Sequence, residues 1–528
     1  MHRTLRRCCP AEVARRAFLA ASPQYPAFDA THSIASFVMD WSHLEKKARV
    51  EGEDVAVAGR IVSKRELSAK LYFLDVVQGG KRVQIMSERQ HWAGAGDADT
   101  FRATHQSLRR GDIIGVRGFP GKSARGELSV IPRDLSVLAP CLRPIPTERE
   151  GLVDPELRFG RRYLDLLVNP VSLETLRTRS RVTRFIRDFF HGEGFEEVET
   201  PTLWPSASGA SAAPFVTERA SASDGGGGGS GSSDGGRELF LRIAPELFLK
   251  QLVIGGMDKV FELGKVFRNE GVTPRHNPEF TMCEAYAAYW DRDDLMAMTE
   301  RLLSALVYEL NDGSYTVTVE QRPAEGSAEG SAEAELIEFD FTPPFKRVSM
   351  LSELERLLDA PGLSDAVLAA QRAEQRAVAG APEREGEHED AAEAVRVAEA
   401  LLSTCCDQTR IVCPAPRTVP RLLDRLTSEL IERPATSPIF VCDQPLSLSP
   451  LAKEHGDAAR AGLADRFELL VAGQELANAY VELSDPEEQR ARFAHQDALA
   501  ERGDDDAVRK DMQVRSFEWT TTTQKQRV

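Results

Sequence analysis

The stretch that decides the fold is VFELGKVFRNEGVTPRHNPEFTMCEAY, which occupies residues 260–286. Two runs rich in Val and Phe, Val260–Arg268 and Glu279–Tyr286, flank a polar loop that contains Gly and Pro. This pattern predicts two β-strands and a long connection. Alternate residues of a strand share a face, so Phe280, Glu284 and Tyr286 line one side of the second strand. That face would carry an aromatic ring, a carboxylate and a phenol, which suit a nucleotide and a small charged ligand. The alternative is an ordinary hairpin whose charged residues lie in solvent.

Length and composition limit the classes of protein that this chain can represent. Its 528 residues are enough for two or three domains with cores of their own. A net charge of −16 argues against a general nucleic-acid coat, but it leaves room for a local basic groove that binds one RNA. The sequence has no run of 18 or more apolar residues, which argues against a membrane span. Its 8 cysteines form no CxxC pair, which indicates a reduced compartment and neither a disulfide framework nor a zinc site.

The N-terminal residues 1–40 are rich in arginine and poor in acid, with Glu12 as the one acidic residue before Asp29. Such a composition is typical of mitochondrial or plastid transit peptides. The alternative is an unstructured extension of a cytoplasmic protein.

Residues 55–138 contain five short β-like runs separated by turns, which predicts a small barrel of the OB type. Such barrels bind single-stranded nucleic acid through stacking aromatics and polar groups that read base edges. Phe73 is the candidate stacking platform, with a place in the barrel core as its alternative. The candidates for reading base edges are Arg65, Gln84 and Glu127.

A connector at 139–175 precedes a second domain that we expect to span 176–528. This domain opens with apolar residues at helical spacing, from Val182 to Phe190, and glycine ends the pattern at Gly192. The apolar face suits either a subunit partner or the domain's own sheet.

Gly/Ser-rich residues 218–237 and the repeat-containing residues 318–336 predict flexible inserts. Ala, Glu and Arg dominate Asp365–Leu402, which predicts a solvated helix.

A second hairpin is predicted within residues 465–493, with its turn near Ala472–Gly473. Asn478, Tyr480 and Glu482 alternate along one face. Glu468 and Glu475 are placed to converge on a hard cation, which carboxylates bind together with phosphate oxygens. The alternative for these two glutamates is exposure to solvent.

The strings FRNEG and RHNPEFTMCEAY, within residues 267–286, resemble motif 2 of the class II aminoacyl-tRNA synthetases, and those of the lysyl enzymes most closely. The resemblance extends from about Val55 to about Ala507. It implies an α+β protein, in which an OB-fold anticodon-binding domain precedes an antiparallel catalytic sheet flanked by helices. It also implies a homodimer formed through the helix that opens the second domain.

The resemblance implies that ATP, with Mg²⁺, activates lysine as lysyl-adenylate, and that the lysyl group then passes to tRNA(Lys). The residues that it assigns to ATP and catalysis are Arg268, Glu270, His276, Asn277 and Phe280. Those that it assigns to lysine and the adenylate are Gly209, Glu246, Glu284, Tyr286, Asn478, Tyr480 and Glu482. Glu468 and Glu475 would bind Mg²⁺, and the barrel residues would contact the anticodon.

The C-terminal residues depart from this pattern after Arg502–Ala507. Class II enzymes continue with motif 3, a glycine-rich strand and helix whose arginine contacts the γ-phosphate, and no GxGxGxDR-like sequence occurs in the 528 residues. We therefore expect the chain as written to form no adenylate. The alternatives are an inactive RNA-binding remnant, a truncated reading of the gene, and a relative that transfers lysine to a protein, although such relatives lack the barrel.

Overall fold

The computed structural model describes two compact units of the chain. It covers Arg15 and residues 25–93, 98–147, 151–205, 212–218, 238–273, 276–321, 335–378 and 387–501. The units are Met1–Arg177 and Thr178–Val528. Within the covered ranges, no helix is both long and apolar enough to cross a membrane.

The first unit contains a closed five-stranded barrel with the strand order β1-β2-β3-β5-β4, which confirms the predicted OB-type fold. Its strands are β1 (Val55–Ser68), β2 (Leu71–Gln78), β3 (Lys81–Glu88), β4 (Ile113–Lys122) and β5 (Leu128–Ala139). Its helices are α1 (Ile34–Trp41) and α2 (Ala98–Ser107). Gly79 and Gly80 make the tight turn between β2 and β3 with φ values of 59° and 84°, which glycine adopts without strain.

Helix α1 belongs to the barrel core. Its cap residue Ser33 accepts a hydrogen bond from the backbone of Ser36, and its apolar side chains Ile34 and Phe37 are fully buried. The extension predicted for residues 1–40 is therefore too long at its C-terminal end, because a helix with two large apolar residues on one face packs against the barrel. Arg15 also forms a buried ion pair with Asp112, at 2.7 Å. Residues 1–14 and 16–24 lie outside the described ranges.

Three helices follow the barrel: α3 (Pro155–Gly160), α4 (Arg162–Val168) and α5 (Pro170–Gly192). The fully buried carboxylate of Asp165 joins the first two, because Arg158 and Arg162 both donate to it. Burial opposes its ionisation, but hydrogen bonds from Asn169, Arg158, Arg162 and Ser172 lower the pKa of Asp165 to about 2. The carboxylate therefore stays charged at neutral pH.

The second unit is built on two main sheets. The first has the order β11-β10-β6, and the second the order β14-β15-β16-β17. Their strands are β6 (Glu196–Glu197), β10 (Lys259–Phe267), β11 (Glu279–Ala287), β14 (Lys346–Ser349), β15 (Ile439–Cys442), β16 (Arg466–Val471) and β17 (Gln474–Tyr480). Most pairings are antiparallel, as predicted, but β6 pairs in parallel with β10, and β14 with β15.

Both predicted hairpins are present. Strands β10 and β11 pair antiparallel from Lys259 opposite Ala287 to Phe267 opposite Glu279. Strands β16 and β17 are joined by Ala472 and Gly473, whose φ values of 54° and 65° fit a two-residue hairpin turn.

Smaller sheets and further helices complete this unit. The sheets are β7-β9-β8, formed by Leu203–Trp204, Glu238–Leu241 and Val216–Glu218, and the pair of β12 (Thr316–Gln321) and β13 (Glu335–Asp340). The helices are α6 (Glu246–Ile254), α7 (Arg292–Leu310), α8 (Met350–Leu358), α9 (Leu363–Val378), α10 (Glu387–Thr409), α11 (Val419–Thr427) and α12 (Pro486–Glu501). Of the two predicted inserts, residues 219–237 and 322–334 lie outside the described ranges.

The prediction that Asp365–Leu402 is helical is confirmed by helices Leu363–Val378 and Glu387–Thr409, but the prediction that it is solvated is wrong. Helices α9 and α10 contribute to the largest apolar cluster of the unit, in which Val367, Ala370 and Leu402 are fully buried. Leu363, Val367 and Ala370 recur at helical spacing, so charged residues cover one face while a narrow apolar stripe packs inward. Overall composition concealed that stripe.

A buried ion pair fixes β9 against β10. Glu262 accepts hydrogen bonds from the Arg242 guanidinium and, at 2.6 Å, from Thr200 Oγ1. Arg242 also donates to the Lys265 carbonyl at 2.8 Å. A Cβ at Gly264 would lie 2.4 Å from Arg242 Nη2, so only glycine allows this close approach.

We predict that Glu262→Ala lowers the free energy of unfolding by about 3–5 kcal/mol, because it leaves the buried Arg242 charge without its partner. The matched control is Glu279→Ala on the next strand, whose ion pair with Lys265 is about half exposed on both sides (54% and 52%). That control should lose less than about 1 kcal/mol. Denaturant titration measures both variants, and equal losses would contradict the assignment.

Candidate active site

The second unit contains a largely buried cluster of three carboxylates, one ammonium and two phenols. Helix α6, strand β11 and the end of β17 supply them. They are Glu246, Lys250, Glu284, Tyr286, Tyr480 and Glu482. We call this set the acidic pocket.

Helix α6 places two of these groups on one face. Pro245 precedes its first residue, Glu246, and Lys250 follows four residues later, so the two side chains are neighbours on the helix surface. Lys250 Nζ lies 2.6 Å from Glu246 Oε1 and 2.7 Å from Glu482 Oε2. The Tyr480 hydroxyl donates to Glu246 Oε1 at 3.3 Å. Helix and hairpin are therefore joined through one buried ammonium.

The two tyrosine rings form the walls of the pocket. Lys250 Nζ lies 5.9 Å from the Tyr286 ring centroid and 5.8 Å from that of Tyr480, within the range of cation–π attraction. The Tyr286 hydroxyl donates to Glu284 Oε1 at 3.0 Å. Burial and the surrounding carboxylates raise the pKa of both phenols well above its ordinary value, so both stay neutral donors.

The pocket holds more carboxylate than cation. Burial raises the pKa of Glu284 to about 8 and that of Glu482 to about 7; the negative charge of Glu246 adds to both shifts, and Lys250 opposes them. Burial alone would lower the pKa of Lys250, but Glu246 and Glu482 raise it above its ordinary value. Glu284 Oε2 is buried and accepts no hydrogen bond from any residue that the structure describes. The arrangement is therefore prepared for a ligand that carries positive charge.

A second group of candidates lies at the open end of the β10–β11 hairpin. The Arg268 guanidinium carbon lies 5.4 Å from the Phe280 ring centroid, and the Arg268 amide donates to the Pro278 carbonyl at 2.9 Å. Glu270, His276 and Asn277 lie in the exposed connecting loop.

In that loop His276 Nδ1 lies 2.9 Å from Thr273 Oγ1. The structure thus brings Arg268 and Phe280 together and leaves the other three catalytic candidates in solvent.

The predicted cation ligands Glu468 and Glu475 lie on β16 and β17. Burial raises the pKa of Glu468; Arg466, which donates to it, opposes the shift, and the charge of Glu475 adds to it. Burial also raises the pKa of Glu432 to about 7, with contributions from Glu468 and Glu475. These three carboxylates are therefore electrostatic neighbours. Across the described ranges, however, no three metal-type side chains are arranged to hold an ion.

The remaining candidates of this unit differ in their surroundings. Asn478 is exposed, and its Oδ1 accepts a hydrogen bond from Arg466 Nε at 3.1 Å. Gly209 lies outside the described residues. Sequence reasoning missed Lys250 and Glu432. The spacing of Lys250 four residues after Glu246 was the available signal, since such pairs meet on a helix.

The four barrel candidates form two contacting pairs, Arg65 with Phe73 and Gln84 with Glu127. Arg65 lies directly opposite Phe73, with its guanidinium carbon 5.8 Å from the ring centroid. Phe73 is partly buried and packs against an apolar cluster, so it contributes to the barrel core, while its role as a stacking platform stays a prediction.

The side-chain amide of Gln84 already forms hydrogen bonds within the barrel. Gln84 is only 7% exposed, donates to Glu127 Oε2 at 3.0 Å and accepts from Ser129 Oγ at 3.0 Å. A base edge would have to compete with Glu127 and Ser129 for this side chain.

Comparison with known protein families agrees with both units. Residues 154–523 match the family described as tRNA synthetases class II (D, K and N). Residues 55–138 match the OB-fold nucleic acid binding domain.

Three curated relatives cover most of the chain. Lysine–tRNA ligase cla4 of Cladosporium cladosporioides is 36% identical over 92% of this chain and 73% of its own length. The probable cytoplasmic lysine–tRNA ligase of Encephalitozoon cuniculi is 38% identical over 94% of this chain and 86% of its own. Lysine–tRNA ligase of Burkholderia pseudomallei is 35% identical over 91% and 82%. The chain therefore belongs to the class II tRNA synthetases of the D, K and N group and is a ligase.

Proposed function

We propose that this enzyme is a lysine–tRNA ligase that uses ATP to attach L-lysine to tRNA(Lys) through a lysyl-adenylate. The observation that carries the proposal is the acidic pocket, with its buried, unpaired oxygen on Glu284. The names of the curated relatives support the same substrate.

The acidic pocket accounts for selection of lysine among amino acids. Glu246 takes the α-ammonium group, and Glu482 with Tyr286 takes the ε-ammonium group, while Glu284 lines the adenylate site. An amino acid without the side-chain ammonium would leave a buried carboxylate unpaired, which costs far more than a lost apolar contact.

The end of the β10–β11 hairpin binds the nucleotide. Arg268 neutralises the α-phosphate and orients the lysine carboxylate, and Phe280 stacks on adenine. The exposed loop residues Glu270, His276 and Asn277 lie beside the triphosphate. The contact of Arg268 with Phe280 in this structure supports a shared site for phosphate and base.

Mg²⁺ is expected as the metal partner of ATP. Glu468 and Glu475 fit it, because their carboxylates are close enough to interact and oxygen donors suit this hard cation. When bound, the ion would stabilise negative charge on the phosphate oxygens.

The chain's residues act mainly by positioning and charge stabilisation. A carboxylate oxygen of lysine attacks the α-phosphorus of ATP, and pyrophosphate leaves with the electrons of the broken P–O bond. The terminal adenosine hydroxyl of tRNA then attacks the lysyl carbonyl, and AMP leaves. The OB barrel holds the anticodon through Arg65, Phe73, Gln84 and Glu127. Homodimer formation and a mitochondrial or plastid location stay predictions.

We predict that Glu482→Gln raises the lysine KM roughly 10- to 100-fold and leaves the ATP KM nearly unchanged, because it removes a charged partner of the ε-ammonium. The pKa values of Glu482 and Glu284 are raised to about 7 and about 8 in the free pocket, and a bound ammonium favours the ionised carboxylates. Lysine binding therefore releases protons, and the wild-type lysine KM should fall between about pH 6 and about pH 8.5.

Lysine-dependent ATP–pyrophosphate exchange measures these effects, with Glu279→Gln as the exposed control. Equal increases in the lysine KM and the ATP KM would remove Glu482 from its role.

Phe73→Ala should reduce tRNA charging without reducing adenylate formation, because stacking contributes about 1–3 kcal/mol per base. Leu67→Ala is the control, since Leu67 is 71% exposed near the end of the same barrel surface. Aminoacylation and exchange are assayed in parallel, and circular dichroism monitors folding. Loss of the folded barrel would show that Phe73 acts through the core alone.

A further inference from the structure

Lys250 occupies the centre of the acidic pocket, yet no role in the reaction has been assigned to it. Its side chain is 5% exposed, and its ammonium contacts Glu246 and Glu482 at 2.6 and 2.7 Å. Those are the carboxylates that the proposed function gives to the two ammonium groups of lysine. The chain's own lysine therefore shares both carboxylates with the substrate.

The charges in the pocket explain why such an internal cation is useful. Glu246, Glu284 and Glu482 together carry three negative charges when ionised, and Lys250 supplies the one cation in contact with them among the described residues. Two negative charges remain in excess. L-Lysine brings two ammonium groups to this side, and Arg268 receives its carboxylate at the other.

The acidic-pocket groups around Lys250 come from three elements, and the carboxylates of Glu246 and Glu482 favour its charged form. Glu246 lies on the same helix, Glu284 and Tyr286 lie on β11, and Tyr480 and Glu482 come from β17 and the residues after it. The two carboxylate contacts and the two rings surround the ammonium. Its withdrawal would leave two buried carboxylates facing each other, so the contact is expected to persist when substrate binds.

We propose that Lys250 is a positioning residue of the acidic pocket: it holds Glu246 and Glu482 in place and so sets an excess charge that matches a diammonium substrate. This inference rests on the proposed function and assigns a specificity role within it. Without Lys250, the three carboxylates repel one another, and Glu284 and Glu482 take up protons at neutral pH. Substrate lysine must then displace those protons before it can bind.

The test is Lys250→Met, which keeps the length of the side chain and removes its charge. We expect the lysine KM at pH 7 to rise about 10- to 100-fold, because loss of an adjacent opposite charge moves a carboxyl pKa by about 1–2 units. The lysine KM profile should shift toward higher pH by about one unit, while the ATP KM stays unchanged and kcat changes less than the lysine KM. Lys265→Met on β10 is the control, since its ion pair is half exposed.

A second measurement covers a variant that binds too weakly for kinetics. Calorimetry of lysine binding in buffers of different ionisation enthalpy counts the protons released, and Lys250→Met should release about one more than wild type near pH 7. Lys250→Arg, which restores the charge, should return both the KM profile and the proton count toward wild type. All variants are compared in the full 528-residue chain.

The outcomes separate the two proposals. If the wild-type protein does not bind lysine, or binds it no better than other amino acids, the proposed function fails. If wild type binds lysine but Lys250→Met keeps the wild-type KM profile and proton count, or binds lysine more tightly, the role of Lys250 fails. Weaker lysine binding that Lys250→Arg does not restore, with an unchanged number of protons released on binding, would show a purely structural role. That outcome would also overturn the proposal.

Discussion

Compensation of buried charge is the constraint on which the second unit depends. Glu262 and Glu284 lie directly opposite each other on β10 and β11, and both point to the same face of the sheet. Arg242 and Thr200 satisfy Glu262 completely within the fold. Glu284 receives one hydrogen bond from Tyr286 and keeps one buried oxygen unpaired. Neighbouring carboxylates on one hairpin thus differ in their surroundings: Glu262 is paired within the fold, and the proposed function gives Glu284 to the ligand.

The same constraint links the two main sheets. Glu246 and Lys250 come from a helix, Glu284 from the first sheet, and Glu482 from the end of the second. A lone buried carboxylate in any of these elements would lower the stability of the fold. The three carboxylates can be buried together because one ammonium compensates part of their charge. Under the proposed function, the charge that remains uncompensated selects the cationic substrate, at some cost in stability.

In the barrel, by contrast, the candidate residues combine packing with exposure. Phe73 packs one side against an apolar cluster and approaches Arg65 with its ring. Under the proposed function, this packing makes Phe73 rigid before a base arrives, so little entropy is lost on binding. The hydrogen bonds of Gln84 with Glu127 and Ser129 hold its side-chain amide in a defined orientation.

The sequence by itself determined the elements and the ancestry. Val- and Phe-rich runs with glycine and proline between them predicted both hairpins and the barrel, since strand periodicity and turn chemistry are local properties. The motif around Phe280 and Glu284 identified the family, and with it the residues of the acidic pocket other than Lys250. Only the tertiary structure decided which groups meet. It placed Lys250 between Glu246 and Glu482, two glutamates that lie more than 200 residues apart along the chain. It also showed that the charged helices Leu363–Val378 and Glu387–Thr409 pack against the apolar core. Such contacts depend on long-range geometry and on desolvation, and neither leaves a periodic signal in the sequence.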